Sequence, residues 1–361
     1  MSPDASRGTD GGRRAVSVTF RSVVEERPGP RIRDLFEATW PAYRGWFLRD
    51  GEEARPTYSE CARALRTFVP ELVPAYEQLV ETCGGGDLEA RFLSQWHPPS
   101  FFAACSMATF TANGHPALVR NYDYVPALCE TTLLTSAFSG RRTSVMTDCL
   151  WGALDGVNED GLAVALSFGG RRAAGRGFAI TLLLRYLLDT CRDVADALDA
   201  CQAVPVNLAY NVAMVDRSGA AALVQLAPDR EPAVVRGASY AANRQGATEW
   251  HEHAVMSETV AREARLAGAL ADPELTREGL EHVFLTEPVY RPLARHTWGT
   301  VYTASYDATE AAVRLLWPDD AWEIRLDNPP QETRTRETVF ALPPLLARQH
   351  EIPHVPQVIF A

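Results

Sequence analysis

The sequence contains no lysine, so arginine supplies every basic side chain other than histidine. This bias reflects composition rather than mechanism. Acidic residues outnumber basic ones, the formal net charge is −11, and no block of basic residues occurs. Such a chain is poorly suited to nucleic acid, and we predict no nucleic-acid partner. No run approaches the roughly 18 apolar residues that a membrane span requires, so we predict no membrane association.

Signals for metal binding, phosphate binding and export are also absent. The seven cysteines form no CxxC pair, the eight histidines form no HExxH pattern, and no Gly-rich phosphate loop occurs. We therefore predict neither a metal site nor a bound cofactor. Residues 1–14 are polar with no apolar stretch behind them, which predicts a flexible tail. An odd number of cysteines without an export signal predicts reduced thiols and a cytoplasmic location.

The first hundred residues have the pattern of helices. Apolar residues recur at helical spacing from Ile32 to Leu48, where Pro41 is expected to interrupt the helix. Thr57-Tyr58-Ser59-Glu60 is a capping box, which predicts the start of another helix. Gly84-Gly85-Gly86 ends this helical stretch. We therefore assign residues 15–104 to a helical N-terminal segment.

After Phe101 the pattern changes to short strands on either side of a central pair of helices. The helices are predicted at Ile180–Thr190 and Val194–Ala203, the second with Asp193 at its start. Apolar runs such as Leu162–Phe168 predict buried strands. Strand runs that flank helices suggest two sheets with helices on their outer faces, and 361 residues are enough for an ample core.

One cysteine stands at the start of the first of these strands. Cys105 opens an apolar run, and Arg120-Asn121-Tyr122-Asp123 ends the next one. The intervening Ala112-Asn113-Gly114-His115 has the chemistry of a tight turn, because Asn and Gly tolerate positive φ. A hairpin would bring Arg120 and Asp123 close to the Cys105 sulfur. A cysteine near a guanidinium and a carboxylate is a candidate activated nucleophile, and the alternative is a buried structural cysteine.

The order of these motifs resembles a known group of enzymes. Cys105, Arg120-Asn121-Tyr122-Asp123 and Asp155-Gly156-Val157-Asn158-Glu159-Asp160-Gly161-Leu162 are similar to motifs of the N-terminal-nucleophile hydrolases. They resemble more closely the acyl-coenzyme A:6-aminopenicillanate acyltransferase-like, or peptidase C45-like, family. The agreement extends from about Phe101 to Trp317 through the stretches Ser167-Phe168-Gly169-Gly170-Arg171, Ala209-Tyr210-Asn211-Val212, Val215-Asp216-Arg217-Ser218-Gly219, Ala242-Asn243-Arg244-Gln245 and Val301-Tyr302-Thr303.

The resemblance implies an α+β fold, a four-layer αββα sandwich, and a precursor that cuts itself between Ala104 and Cys105. By an N-to-S acyl shift, Cys105 would form a thioester that water then hydrolyses. Residues 1–104 would become a small chain that stays with the catalytic domain, residues 105–361, as a heterodimer. The freed α-amino group, whose ordinary pKa is roughly 7.7–8.0, would act as the base for its own thiol.

The resemblance also implies roles for the matching residues. Asp123 would orient the new amino group, and Arg120 would favour the thiolate or bind substrate charge. Asn243 would donate its amide N–H groups to the oxyanion, an interaction worth about 3–4 kcal/mol of barrier. Asn158 would be a second donor or a supporting residue. Each role has a structural alternative, such as an ion-pair partner at Arg120 and a turn residue at Asp123 or Asn158.

The function that this reading predicts is a self-processing cysteine amidase or acyltransferase, with hydrolysis and transfer both open. Its partner would be a small-molecule amide, thioester or amine, and acyl-coenzyme A would be an acyl donor rather than a bound cofactor. The family commonly has Gly at the position of Ala104 and often has His at that of Arg244. These departures favour the alternative, an uncleaved binding protein without catalysis. A papain-like pairing of Cys105 with His251 or His296 fits poorly, because no papain-type motif surrounds the cysteine.

Overall fold

A computed structural model of the chain describes residues 13–293 and 298–341, in which strands and helices cover most of the chain. The strands are β1 (Arg13–Val24), β2 (Ala104–Phe110), β3 (Ala117–Tyr124), β4 (Thr132–Ser136), β5 (Thr143–Asp148), β6 (Gly152–Asn158), β7 (Ala163–Phe168), β8 (Tyr210–Val215), β9 (Ala221–Ala227), β10 (Arg230–Arg236), β11 (Tyr240–Ala241), β12 (Gly299–Asp307), β13 (Ala312–Trp317), β14 (Asp320–Arg325) and β15 (Glu332–Ala341). The helices are α1 (Pro30–Phe47), α2 (Tyr58–Phe68), α3 (Val73–Thr82), α4 (Asp87–Leu93), α5 (Ile180–Thr190), α6 (Val194–Ala203), α7 (His251–Met256), α8 (Thr259–Leu270) and α9 (Arg277–Phe284).

Two sheets form the centre of the fold. The larger sheet has nine strands in the order β10-β9-β8-β7-β6-β5-β4-β1-β15. The smaller sheet has six strands in the order β11-β2-β3-β12-β13-β14. In the larger sheet β1 runs parallel to β4 and antiparallel to β15, with Arg13 opposite Ala341. This sheet is therefore completed by strands that lie far apart in the sequence.

The sheets pack face to face and carry helices on their outer faces. β2 and β3 contact β7 and β8 across the interface between the sheets. α5 and α6 pack on the larger sheet, and α8 and α9 pack on the smaller one. Successive side chains of β2 point to opposite faces of the smaller sheet. Met107 therefore lies in the core between the sheets, whereas Ala108 packs under α8 and α9. The predicted αββα sandwich is confirmed.

The helices of the N-terminal segment begin where the sequence signals predict. The Thr57 hydroxyl accepts a hydrogen bond from the Glu60 amide, and the Glu60 carboxylate accepts one from the Thr57 amide, which caps α2. The predicted interruption at Pro41 does not occur. α1 continues through this residue, since Phe36 and Phe47 are buried on either side of it and hold the helix against the core.

Among the other elements, some agree with the prediction and one is new. α5 and α6 have the predicted bounds, and Asp193 caps α6 by accepting a hydrogen bond from the Asp196 amide. β1 adds a strand to the segment 15–104, which the pattern assigned to helices. The predicted tail, residues 1–14, lies outside the described residues except at its last two positions. Within the described ranges, no helix is both long and apolar enough to cross a lipid bilayer.

Candidate active site

The candidate nucleophile lies near the start of β2, which pairs with β3 as the predicted hairpin requires. Ala104 lies opposite Asp123, and Cys105 lies opposite Tyr122. Side chains alternate along a strand, so Cys105 and Arg120 project into the core between the sheets, whereas Asp123 projects toward α8. The two charged residues predicted beside Cys105 therefore approach it from opposite faces of the smaller sheet.

The sulfur of Cys105 is bound by Arg120. Arg120 Nη2 donates a hydrogen bond to Cys105 Sγ over 3.2 Å, and both side chains are fully buried. Burial raises the pKa of the Cys105 thiol above its ordinary value, and the Arg120 guanidinium opposes this shift. Because burial has the larger effect, the unbroken chain favours the thiol over the thiolate.

The backbone nitrogen of Cys105 is bound by a second network. It donates to Asn243 Oδ1 over 3.2 Å, and Arg262 Nη2 donates to the same oxygen over 2.8 Å. Arg262 Nη1 donates to Asp123 Oδ2 over 2.6 Å within a fully buried ion pair. These hydrogen bonds connect Asp123 to the Cys105 nitrogen through Arg262 and Asn243.

Asp123 is a buried carboxylate whose two oxygens have different partners. Thr300, directly opposite it on β12, donates from Oγ1 to Asp123 Oδ1 over 2.7 Å, and Arg262 binds the other oxygen. Burial raises the pKa of Asp123 above its ordinary value, while the Arg262 charge acts in the opposite direction. With both oxygens bonded, the orientation of the carboxyl group is fixed.

Two other sequence motifs converge on the motif that contains Asn243. Asn243 Nδ2 donates to the Phe168 carbonyl over 3.1 Å. Asn211 Nδ2 donates to the carbonyl of the neighbouring Ala242 over 3.2 Å. Gly170 has φ +65°, and an added Cβ there would lie 2.1 Å from the Asn243 carbonyl oxygen. Residues of β7, β8 and the loop after β7 thus hold the Asn243 backbone and side chain in place.

The side chain of Asn158, at the end of β6, is engaged elsewhere, with the turn that leads to β7 and with the end of α5. Its Nδ2 donates to the carbonyls of Leu188 and Cys191, over 3.0 and 2.8 Å. Its Oδ1 accepts from the amides of Asp160 and Leu162. The structure therefore does not bring the Asn158 amide to Cys105, and these contacts are those of the structural alternative, a turn residue.

Two residues in contact with the candidate site, Arg262 and Asp155, were not predicted from the sequence. Arg262 lies in α8 on the same buried stripe as Leu266 and Ala269. An arginine at a position where helical periodicity requires a buried residue is the signal that could have identified it. Asp155 lies in one of the motifs that carry the resemblance, which implies no role for it, although it is fully buried and pairs with Arg120.

Aromatic side chains surround the segment that precedes Cys105. The Phe102 ring contacts Phe168 and Trp250 edge-on, with centroid distances of 4.8 and 5.4 Å. Phe168 also packs against His253, at 5.0 Å. Burial lowers the pKa of His253 to about 4, so this ring is uncharged near neutral pH. Phe102, which lies just before the Ala104–Cys105 bond, therefore packs against Phe168, the residue whose carbonyl oxygen binds Asn243.

Arg244 forms an ion pair with Glu263 of α8. His251 is exposed at the start of α7, and His296 lies outside the described residues. Residues 13–293 and 298–341 contain no group of three His, Cys, Asp or Glu side chains that could hold a metal ion. The exposed His251 gives no support to a papain-like pair with Cys105.

The chain matches a family model over most of the region that carries these motifs. The model, acyl-coenzyme A:6-aminopenicillanic acid acyl-transferase, matches residues 109–322, which is more than half of the chain. No curated protein sequence matches the chain significantly.

Several solved structures are similar to the chain at low identity. Penicillin V acylase from Agrobacterium tumefaciens is 13% identical with a TM-score of 0.41, covering 64% of this chain and 90% of that one. A mutant of the conjugated bile acid hydrolase from Clostridium perfringens is 15% identical with a TM-score of 0.42, covering 64% and 96%. A second variant of that hydrolase is 13% identical with a TM-score of 0.37, covering 72% and 94%. The assignment rests on the family match: the chain belongs to the acyl-coenzyme A:6-aminopenicillanic acid acyl-transferase family, which confirms the resemblance inferred from its motifs.

Proposed function

We propose that the protein is a self-processing cysteine amidase or acyltransferase of the N-terminal-nucleophile type. Membership of the family supports an acylase or amidase type of activity. The observation that carries the proposal is that both reactive atoms of Cys105 are held, Sγ by Arg120 and N by Asn243. A cysteine that attacks with its sulfur and uses its own nitrogen as the base needs both atoms oriented.

In the processing reaction, Cys105 Sγ attacks the carbonyl carbon of Ala104. A C–S bond forms, the C–N bond between the two residues breaks, and the thiol proton passes to the departing nitrogen. Water then hydrolyses the thioester, leaving a carboxylate on Ala104 and a free amine on Cys105. Asn243 Oδ1, which accepts from the peptide nitrogen in the unbroken chain, would accept from the amine in the same way.

In turnover, the Cys105 amine takes the thiol proton as Sγ attacks a substrate carbonyl, and it returns the proton to the leaving group. The substrate is a small-molecule amide or thioester, and the acyl group then passes to water or to an amine. An acyl-coenzyme A can supply the acyl group as a substrate, without a resident cofactor. One N–H of Asn243 Nδ2 binds the Phe168 carbonyl, and the second would stabilise the oxyanion.

The two chains made by cleavage would remain together as a heterodimer. β1 of the small chain lies inside the larger sheet, between β4 and β15. Phe20 of β1 is buried against Tyr302 and Trp317, with ring centroids 6.3 and 5.0 Å away. Separation of the chains would expose this apolar surface and leave a gap in the sheet.

All seven cysteines are free thiols, and a cytoplasmic location stays a prediction.

The intact mass of the purified protein under denaturing conditions tests this proposal. We expect two chains, the larger beginning with Cys105 and reading Cys-Ser-Met-Ala on N-terminal sequencing. The Cys105→Ala variant should remain one chain without activity, because it lacks the attacking sulfur. The half-buried Cys129 is the matched control, and Cys129→Ala should still cleave.

A single uncut wild-type chain would contradict self-processing and favour the alternative, a binding protein whose residues 101–104 stay in place over the site. Two fragments from Cys105→Ala would show that another group breaks the bond. Cleavage without measurable release of acyl groups from amides or thioesters would contradict the enzymatic part alone.

A further inference from the structure

The guanidinium of Arg120 is shared between the nucleophile and a carboxylate. Nη2 binds Cys105 Sγ over 3.2 Å, Nε donates to the Leu166 carbonyl over 3.0 Å, and Nη1 binds Asp155 Oδ2. The side chains of Arg120, Cys105 and Asp155 are all fully buried. The positive charge beside the sulfur is therefore already matched by a negative charge on the other side of the guanidinium.

Asp155 is held by two tyrosines of the opposite sheet. It lies on β6 of the larger sheet, whereas Tyr302 and Tyr306 lie on β12 of the smaller one. The Tyr302 hydroxyl donates to Asp155 Oδ2 over 2.7 Å, and the Tyr306 hydroxyl donates to Oδ1. Four residues apart on one strand, the tyrosines share a face and reach the same carboxylate. Asp155 is thus fixed in place independently of Cys105.

We propose that Asp155 is a positioning residue, the counter-ion of Arg120, which limits how much of the guanidinium charge acts on the Cys105 sulfur. This inference rests on the proposed function in which Cys105 is the nucleophile. An Arg–Asp pair presents little net charge to a third group, so Arg120 orients the sulfur by a hydrogen bond while Cys105 keeps its proton. The burial-raised pKa of Cys105 agrees with this state. The thiol must then give its proton to a base, as the amine mechanism requires.

Removal of the Asp155 charge should change the state of Cys105. In Asp155→Asn, Arg120 becomes a buried cation without a carboxylate, a costly arrangement. Cys105 is the group in contact with Arg120 that can become an anion, by releasing its thiol proton to solvent. We expect the midpoint of thiol ionisation to fall by about one pH unit or more. The replacement leaves the size of the side chain unchanged, so this shift would report charge and not packing.

The ionisation of Cys105 can be followed by the ultraviolet absorbance of the thiolate in a pH titration of the full-length protein. Subtraction of the Cys105→Ala titration, in the wild-type and Asp155→Asn backgrounds, isolates the signal of this cysteine. Asp155→Glu, which restores the charge, should return the midpoint toward the wild-type value. A midpoint that is unchanged or higher in folded Asp155→Asn would overturn the proposal.

A second buried ion pair provides the matched control. Arg185 and Asp189 of α5 are also fully buried and paired over 2.9 Å. Asp189→Asn should therefore leave the Cys105 midpoint where it is, and an equal shift would show that loss of any buried ion pair produces the effect. Intact mass gives the cleavage state of each sample, and midpoints are compared between samples in the same state, so an uncut wild-type protein would count against the proposed function alone.

The double variant Asp155→Asn/Arg120→Gln covers the case in which Asp155→Asn does not fold. Removing both charges leaves no unpaired cation, so the double variant should fold where the single variant fails. If both fail, Asp155 acts through Tyr302 and Tyr306 in folding and not as the counter-ion of Arg120, which would overturn the proposal.

Discussion

The backbone nitrogen of Cys105 donates a hydrogen bond to Asn243 Oδ1, and Asn243 in turn donates to the Phe168 carbonyl of the larger sheet. Asn243 can act through its oxygen, on the Cys105 nitrogen, or through its N–H groups, on an oxyanion. Asn243→Ala removes both functions and should lower turnover by roughly 10²–10³-fold if the oxyanion role is real.

Asn243→Asp separates the two functions, because it keeps an acceptor for the Cys105 nitrogen and loses the donor. If the oxyanion role dominates, its turnover should be as low as that of Asn243→Ala. Rates of self-cleavage and turnover, each measured on folded protein, give the comparison. Equal, near wild-type turnover in both variants would move the oxyanion role to another group.

Arg262 holds Asp123 and Asn243 together, so its loss should affect folding and processing. Arg262→Gln leaves the Asp123 carboxylate buried without a counter-ion and should lower the free energy of unfolding by about 3–5 kcal/mol. Adding Asp123→Asn removes the buried charge and should recover part of this loss. Denaturant unfolding measures both effects. Arg265 is exposed on the same helix, and Arg265→Gln should change neither stability nor cleavage.

Gly170 allows the loop after β7 to approach Asn243. Gly170→Ala would place a Cβ 2.1 Å from the Asn243 carbonyl oxygen at a φ of +65°, so Asn243 must shift and self-cleavage should slow. Gly246 is the matched control, because it also has positive φ, +75°, but nothing within 4 Å of an added Cβ. If Gly246→Ala slows cleavage as much as Gly170→Ala, backbone conformation and not contact with Asn243 is responsible.

Asn158 should matter for stability rather than for chemistry. Asn158→Ala leaves two buried carbonyls and two amides without their side-chain partners and should lower the free energy of unfolding by about 2–4 kcal/mol. Turnover per folded molecule should stay near the wild-type value. A loss of turnover that exceeds the loss of folded protein would restore the catalytic role that the motif suggests.

The carboxyl groups of Glu130 and Asp148 should make stability depend on pH. Both contact Tyr43 Oη, which has one proton to donate, so one carboxyl must supply a second proton. Burial and the Glu130 charge raise the pKa of Asp148 to about 7. The folded state therefore binds a proton more tightly than the unfolded state. The stabilisation is complete below about pH 4 and is lost as pH rises to about 7.

Wild-type protein and Asp148→Asn should therefore differ in slope between pH 4 and 7. The Asp148→Asn variant lacks the titrating group. The free energy of unfolding of the variant should therefore fall less steeply with pH than that of the wild type, and the two slopes should differ by up to about 1.4 kcal/mol per pH unit. Chemical denaturation at several pH values gives both slopes. Parallel curves would mean that the pair is not protonated in the folded protein.

Local signals predicted the elements whose boundaries depend on neighbouring residues. α6 has a capping Asp193 before it and Pro205 beyond its end, and its bounds are as predicted. The β2–β3 hairpin likewise follows from two apolar runs and a short polar turn. These features lie within about 20 residues of chain, where capping, turn chemistry and periodicity act directly.

Features that depend on distant parts of the chain were not predicted. β1 pairs with β15 across more than 300 residues, and no local pattern encodes that pairing. The sequence does not predict the burial of Arg262, because an arginine in a charged helix is usually solvated and only packing of α8 on the smaller sheet buries it. Cys105, Arg120, Asp123 and Asn243, which hydrogen bonds connect in the structure, lie in motifs that recur in order.

The pairing of Arg13 with Ala341 places the two ends of the described chain side by side. Ends that lie together are suited to circular permutation, in which they are joined by a linker and a new start is chosen elsewhere. A permuted gene that starts at Cys105 and ends at Ala104 would encode the same sheets in one polypeptide. After removal of the initiator methionine, its first residue would already carry the free amine. Such a protein would allow turnover to be measured without the proposed self-cleavage.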